Sequence, residues 1–183
     1  YNLIAKIYEL QNKFSQSVDY RQKEHDMISQ MYLPDHPRVQ QACSDLQRIK
    51  MLEINSLSRS ERLEKAQINK EEGNKQFKKQ EFQLAKEYYL EALALVEGIT
   101  DQSANSLKVS ILSNLALVSY KDNDYQKVID YANQGLSIDS KNVKMLFRKS
   151  QGLSKICEYE ETLKNLEKAE TLDPSNQEVK NLI

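Results

Sequence analysis

An all-α repeat domain is the fold that this sequence predicts. Three observations predict it: residues that bound strands and turns are scarce, a 34-residue period holds three times, and each copy spaces its apolar residues by three and four. The chain has 183 residues, 29% of them charged, with four glycines, three prolines and no tryptophan. That composition favours helix over sheet from the outset.

The period is seen by laying "VSILSNLALVSYKDNDYQKVIDYANQGLSIDSKN" (109–142) over "VKMLFRKSQGLSKICEYEETLKNLEKAETLDPSN" (143–176). Leu112 falls on Leu146 and Tyr125 on Tyr159, and "IDSKN" at one end matches "LDPSN" at the other. A third copy, "AQINKEEGNKQFKKQEFQLAKEYYLEALALVEGI" (66–99), fits the same frame with Phe82 at the aromatic position, and Thr100 to Lys108 separate it from the next copy. Each copy divides into two amphipathic helices at "KKQEF", "KDNDY" or "KICEY".

Small residues stand where paired helices would cross: Gly73, Ala85 and Ala92 in the first copy, Ala116 and Gly135 in the second, Ser150 and Ala169 in the third. Gly73 lies in "KEEGN" (70–74), inside a run of helix formers. Glycine there costs roughly 1 kcal/mol relative to alanine, and closer approach of the partner helix offsets that cost.

This helix-turn-helix unit with a late proline, Pro174, resembles the tetratricopeptide repeat over residues 66–176. "DPSNQEVKNLI" resembles the start of the solvating helix that follows a last repeat, which places a capping segment at 177–183. The early tryptophan of the general pattern is replaced by Asn69, Leu112 and Leu146, and Val128 and Thr162 stand where alanine is commoner.

Residues 1–65 do not fit the repeat and are expected to form an N-terminal helical segment, separate from a repeat domain at 66–183. Leu3, Ile7, Leu10, Phe14 and Val18 make a helical stripe that fades over 20–26 and resumes at Met27, Ile28 and Met31. "PDHP" (34–37) breaks it, because proline lacks an amide donor and biases the residue before it away from helix. A second helix follows with Val39, Ala42, Leu46 and Ile49 on one side, and "SRSE" (58–61) has capping-box spacing, Ser58 as cap and Glu61 three on. A helical hairpin that packs on or caps the repeats is the preferred reading, and a self-associating arm is the other.

Stacked repeats line a concave groove with the first helix of each pair, so function is sought there. Lys70 and Asn74 are four apart on one helix face, as are Lys144 and Arg148, and Asn114 holds the repeat position that Arg148 holds in the next copy. Lysine and arginine only donate. The set suits an anion presenting several oxygens, such as a peptide end with two carboxylates close together, and charge-assisted bonds of roughly 1.5–3 kcal/mol each would support binding near a micromolar dissociation constant, about 8 kcal/mol.

Lys70, Asn74, Asn114, Lys144 and Arg148 together resemble the two-carboxylate clamp of chaperone-binding repeat domains, which grip the C-terminal Glu-Glu-Val-Asp of cytosolic ninety- and seventy-kilodalton heat-shock proteins. The resemblance implies that Lys70, Asn74 and Asn114 hold the terminal carboxylates, that Lys144 and Arg148 contact the aspartate side chain and peptide backbone, and that Phe77 lines an apolar pocket. The gap between the first two repeats, with "SRSERLEKAQINKEEGN", is similar to the repeat domains of large FK506-binding immunophilins. Gln151 and Lys121 also face the groove by position and are candidates for upstream contacts.

Other functions find little support. Lys and Arg number 26 against 27 Asp and Glu, a formal net charge of -1, which supplies no general attraction to nucleic acid or anionic lipid. Cys43 and Cys157 form no CxxC pair, His25 and His36 stand near no cysteine or Ser-containing elbow, and phosphate loops and metal spacings are absent. The tyrosines read as packing and turn residues rather than a base-stacking platform. We therefore expect no enzyme activity, no cofactor, no membrane span and a cytoplasmic setting. The start at Tyr1 and the stop inside a helical pattern predict a piece of a longer chain, with any isomerase domain elsewhere. A structural scaffold whose groove holds a non-chaperone peptide is the alternative function.

Overall fold

The computed structural model describes residues 1–182, and these contain ten helices and no strand. Ile183, the last residue of the predicted capping segment, lies outside the described residues. Contacts divide the chain into two units, Tyr1–Arg59 and the residues from Ser60 on.

The first unit holds α1 (Asn2–Leu10), α2 (Phe14–Met31) and α3 (Pro37–Ser56). Its hairpin is α2 with α3, and α1 precedes it. The apolar series that runs from Leu3 to Val18 in the sequence is therefore cut, at Asn12, whose φ of 56° is left-handed. Asparagine tolerates that conformation better than most side chains. The Lys13 amide then donates back to the Tyr8 carbonyl at 2.9 Å and closes the helix end.

The stripe also faces the other way from a core. Leu3 and Leu10 are 73% and 80% exposed, whereas Ala5, Ser17 and Arg21 are buried. Ser17 Oγ donates to the Ala5 carbonyl at 3.0 Å. Arg21 is surrounded by Glu24 at 3.0 Å, Glu9 at 3.3 Å and Asp45 at 3.7 Å, the partners that a buried guanidinium requires. Burial pushes the Glu9 carboxyl up, but Arg48 and Arg21 outweigh it and hold the group below its usual value. Apolar periodicity cannot register a polar seam of this kind. In α3, Pro37 occupies the first turn and the His36 imidazole accepts from the Arg38 amide, so the chain break at "PDHP" is also a helix start. Val39, Ala42, Leu46 and Ile49 are the buried residues of α3.

The remaining helices are α4 (Arg59–Lys78), α5 (Phe82–Val96), α6 (Gln102–Lys121), α7 (Tyr125–Ile138), α8 (Val143–Lys155), α9 (Tyr159–Leu172) and α10 (Gln177–Lys180). They pair as α4 with α5, α6 with α7 and α8 with α9. α4 starts directly after Ser58.

The three turns within pairs are one structure repeated. Gln80, Asn123 and Cys157 have φ of 66°, 59° and 64°. The next amide in each case reaches a carbonyl five residues back: Glu81 to Gln76 at 3.0 Å, Asp124 to Ser119 at 2.9 Å, Glu158 to Leu153 at 3.0 Å. Phe82, Tyr125 and Tyr159 then open the second helices. The α1–α2 turn repeats the device, with left-handed Asn12 two residues before Phe14. Its signal was in the sequence as "QNKF", and the apolar stripe masked it.

The helices that follow each pair, α6, α8 and α10, are capped by side chains. Asp101 accepts from the Ser103 amide at 3.1 Å, Asn142 from Met145 at 3.1 Å and Asn176 from Val179 at 3.2 Å, each satisfying a donor the helix leaves open.

Between the helices, a Cβ on Gly73 would lie 2.6 Å from Cε1 of Tyr89, a ring that is 2% exposed. The glycine is the seat of that ring. Gly152, whose role spacing did not suggest, also lies close to α7, where a Cβ would meet Ile129 Cγ1 at 2.9 Å and the Tyr125 carbonyl at 3.2 Å. Leu112 and Met145 pack together with Val109, while Leu146, Phe147, Leu166 and Ala169 form a second cluster that receives Val179 of α10. α10 is a single turn, too short to persist on propensity, and its buried valine is what anchors it. Among the described residues no helix is long and apolar enough to cross a membrane.

Candidate functional site

The five residues singled out by spacing, and Phe77, which the resemblance adds, lie on the first helices of the three pairs. α4 carries Lys70, Asn74 and Phe77, α6 carries Asn114, and α8 carries Lys144 and Arg148.

Asn74 and Asn114 are in contact. Asn114 Nδ2 donates to Asn74 Oδ1 at 2.9 Å, and the Tyr89 hydroxyl donates to the same oxygen at 2.8 Å. With its carbonyl oxygen occupied twice, Asn74 has its amino group left for a ligand, and the network assigns that amide orientation. Burial pushes the Tyr89 phenol up to about 12, so it remains a proton donor across the physiological range. Tyr89 read as a packing residue in the sequence. Nothing local relates it to Asn74, which is fifteen residues away.

Lys144 and Arg148 form the second group. Burial and then the Arg148 charge lower the Lys144 ammonium from its usual value, and Glu178 partly offsets this. Burial likewise lowers Arg148, with Glu178 and Tyr120 acting the other way. One Arg148 donor reaches Gln151 Oε1 at 2.8 Å, and the guanidinium lies 5.9 Å from the centre of the Phe147 ring. Arg148 Nε is buried and unpartnered. Phe77 is half-buried, with its ring 5.4 Å from that of Phe82. Lys121 is exposed.

Several other cations of this unit are already paired with carboxylates. Lys86 has Asp122 at 3.6 Å, Lys108 has Glu97 at 2.9 Å and Lys149, next to Arg148, has Glu161 at 2.6 Å. Among the described residues Lys70, Lys144 and Arg148 have no carboxylate within 4 Å. Partly desolvated positive groups without counter-ions are favourable places for an incoming anion.

A cavity of about 330 Å³ lies elsewhere, lined by Gln102, Asn105, Ser106, Asp139 and Asn142 among others. It holds none of the six residues. Asn105 is committed to the Thr100 carbonyl and Asn142 to Asp139.

The C-terminal TPR-containing domain of a Plasmodium falciparum FK506-binding protein superposes on this chain with a TM-score of 0.64 at 35% identity, covering 70% of this chain and 90% of that domain. The chain belongs to the tetratricopeptide-repeat domains. No family model matches it. Among curated relatives, FK506-binding protein 59 of Drosophila melanogaster is 34% identical over 136 residues, 73% of this chain and 31% of that protein. The tetratricopeptide-repeat chain described here thus spans about a third of the length of that relative. The Hsp90 co-chaperone Cns1 of Saccharomyces cerevisiae is similar at 28% identity with a TM-score of 0.61, over 67% of this chain and 38% of the yeast one. The likeness to FK506-binding proteins agrees with the extended gap between the first two repeats. What matches is a repeat module that is not catalytic, and the isomerase domain of FK506-binding proteins lies outside the matched region.

Proposed function

We propose that this domain is a co-chaperone adaptor. It binds the C-terminal Glu-Glu-Val-Asp tail of a cytosolic ninety- or seventy-kilodalton heat-shock chaperone in the groove lined by Lys70, Asn74, Phe77, Asn114, Lys144 and Arg148. The observation that carries the reading is a set of three cations with no carboxylate within 4 Å among the described residues, accompanied by an asparagine pair whose free amino group is a neutral donor. A fourth positive charge, in place of Asn74, would add repulsion where a donor alone is needed. The similarity to a yeast Hsp90 co-chaperone supports the same partner class, and such a partner implies a cytoplasmic setting.

In this mechanism Lys70 and the two asparagines meet the terminal carboxylate, Lys144 and Arg148 meet the aspartate side chain and the backbone, and Phe77 contacts the apolar part of the tail. Calorimetric titration with Met-Glu-Glu-Val-Asp, and with the same peptide amidated at its C-terminus, tests this. Micromolar binding that disappears on amidation is the expected result. Equal binding of both peptides, or of neither, overturns it and favours a scaffold groove that does not read chain ends.

Tyr89→Phe provides a finer check. It removes one of the two hydrogen bonds that orient the Asn74 amide, and a bond of this kind contributes roughly 0.5–1.5 kcal/mol. Peptide affinity is expected to fall about two- to tenfold with little change in melting temperature, because the ring itself stays in place. An unchanged dissociation constant would show that the amide needs no orienting partner.

A further inference from the structure

In the first unit, α1 and α2 repeat the geometry of the three helix pairs. Placing Phe14 on Phe82, Tyr125 and Tyr159 brings left-handed Asn12 onto Gln80, Asn123 and Cys157. It also lays the bond from the Lys13 amide to the Tyr8 carbonyl over the three matching turn bonds. Ala5 then falls on Gly73, Ala116 and Ser150, and Ser17 on Ala85, Val128 and Thr162, every one of them buried. Arg21 stands where the pairs have Tyr89, Ala132 and Leu166, which is why apolar matching passes over this copy.

The outer face of α1 is what differs. In α8 the face turned to the preceding pair is marked by Gly152, where a Cβ would meet Ile129 and Val128 of α7. Val118 holds that position in α6, Leu115 lies three residues before it, and both are fully buried. α6 packs on α5 as α8 packs on α7. In α4, the first helix of its unit, the two positions are Lys75 and Glu72, which pair with each other at 2.9 Å and suit water. In α1 they are Ile7 and Ile4, 46% and 41% exposed. α1 therefore has the side chains of an interior helix with the exposure of a terminal one.

We propose that Ile4 and Ile7 form a stacking face that seats the second helix of a further helix-turn-helix pair, supplied by polypeptide N-terminal to Tyr1. The occupant is an amphipathic helix of the α7 kind, with a small residue such as Gly135 and branched residues such as Val128 along the contact. A repeat pair cannot bury its outer face alone, and a neighbouring pair is what completes it. Two observations select this source. α6 and α8 each pack on the pair directly before them in sequence, so stacking follows chain order. A second copy has no matching helix to offer, because among the described residues α2, α5, α7 and α9 already pack against α3, α6, α8 and α10, the helices that follow them.

Hydrogen exchange read by mass spectrometry compares the chain starting at Tyr1 with the natural polypeptide extended upstream by two repeat lengths. The amides of α1 are expected to exchange about tenfold or more slowly in the extended chain, and the shorter chain to sediment as a monomer. Ile7→Lys should abolish that gain in the extended chain and leave α1 exchange in the shorter one as it was, because there the side chain meets water. Leu10→Lys is the control. Leu10 is 80% exposed, and its position is lysine in each of the other copies, Lys78, Lys121 and Lys155, so the gain should survive this change. Equal α1 exchange in the two wild-type chains overturns the proposal, as does a gain that outlasts Ile7→Lys. An upstream sequence without an amphipathic helix pair, or a shorter chain that dimerises through Ile7, overturns it too. The wild-type comparison needs no substitution, so a variant that fails to fold leaves the test in place.

Discussion

Lys144→Ala is expected to abolish detectable micromolar binding of the acidic pentapeptide while leaving thermal unfolding where it was. Lys144 is an exposed residue whose partly desolvated ammonium has no carboxylate within 4 Å among the described residues, so the folded state loses little when it goes. Surface changes of this kind stay within about 0.5 kcal/mol. The ligand loses a charge-assisted bond of roughly 1.5–3 kcal/mol, about a 10- to 100-fold rise in dissociation constant. Arg148→Ala should affect binding as strongly. It also removes the bond to Gln151 and the contact with the Phe147 ring, so a small drop in melting temperature is expected beside it. Calorimetry paired with a circular-dichroism melt reads both effects. Unchanged affinity in Lys144→Ala, or its unfolding, would remove the proposed role of this residue.

Gly73→Val is expected to damage stability and binding together. Any Cβ at this position meets the Tyr89 ring at 2.6 and 2.7 Å, and the ring cannot yield freely because it is buried and its hydroxyl holds Asn74. Overpacking of a well-filled site costs about 1–3 kcal/mol, more than the few tenths that valine recovers in helix propensity over glycine. A melting temperature lower by roughly 5–10 °C is expected. Displacing Tyr89 also releases the Asn74 amide, so peptide affinity should fall in protein that is still folded at the assay temperature. A variant as stable as wild type would mean that α4 and α5 can separate without loss, and the close approach would then not explain the glycine.

Much of the fold was legible because repeats state the same local chemistry more than once. The 34-residue period, the breaks at "KKQEF", "KDNDY" and "KICEY", and the small residues from Gly73 to Ala169 each rest on interactions within a few residues or between adjacent helices, and a linear pattern records those. The α1–α2 turn was equally local in "QNKF" but occurs only once outside the repeat frame. A continuous apolar stripe outweighed it, and Leu3, Ile7 and Leu10 of that stripe proved to be exposed. The α3 side of the first unit, with Val39, Ala42, Leu46 and Ile49, was legible, whereas the buried residues of α1 and α2 are Ala5, Ser17 and Arg21, joined by Glu9, Glu24 and Asp45, a polar seam to which apolar periodicity is blind.

The candidate site divides along the same line. Which helices carry Lys70, Asn74, Asn114, Lys144 and Arg148 follows from their offsets within the period. Their state does not. That Tyr89 turns the Asn74 amide and that Lys149 is neutralised while Arg148 beside it is not are relations between residues distant in the chain. Periodicity reports which face of a helix a side chain occupies, because that depends on the residue's own place in a 3.6-residue turn. Pairing, desolvation and field depend on which other helix is brought to that face, and that is settled only when the pairs stack.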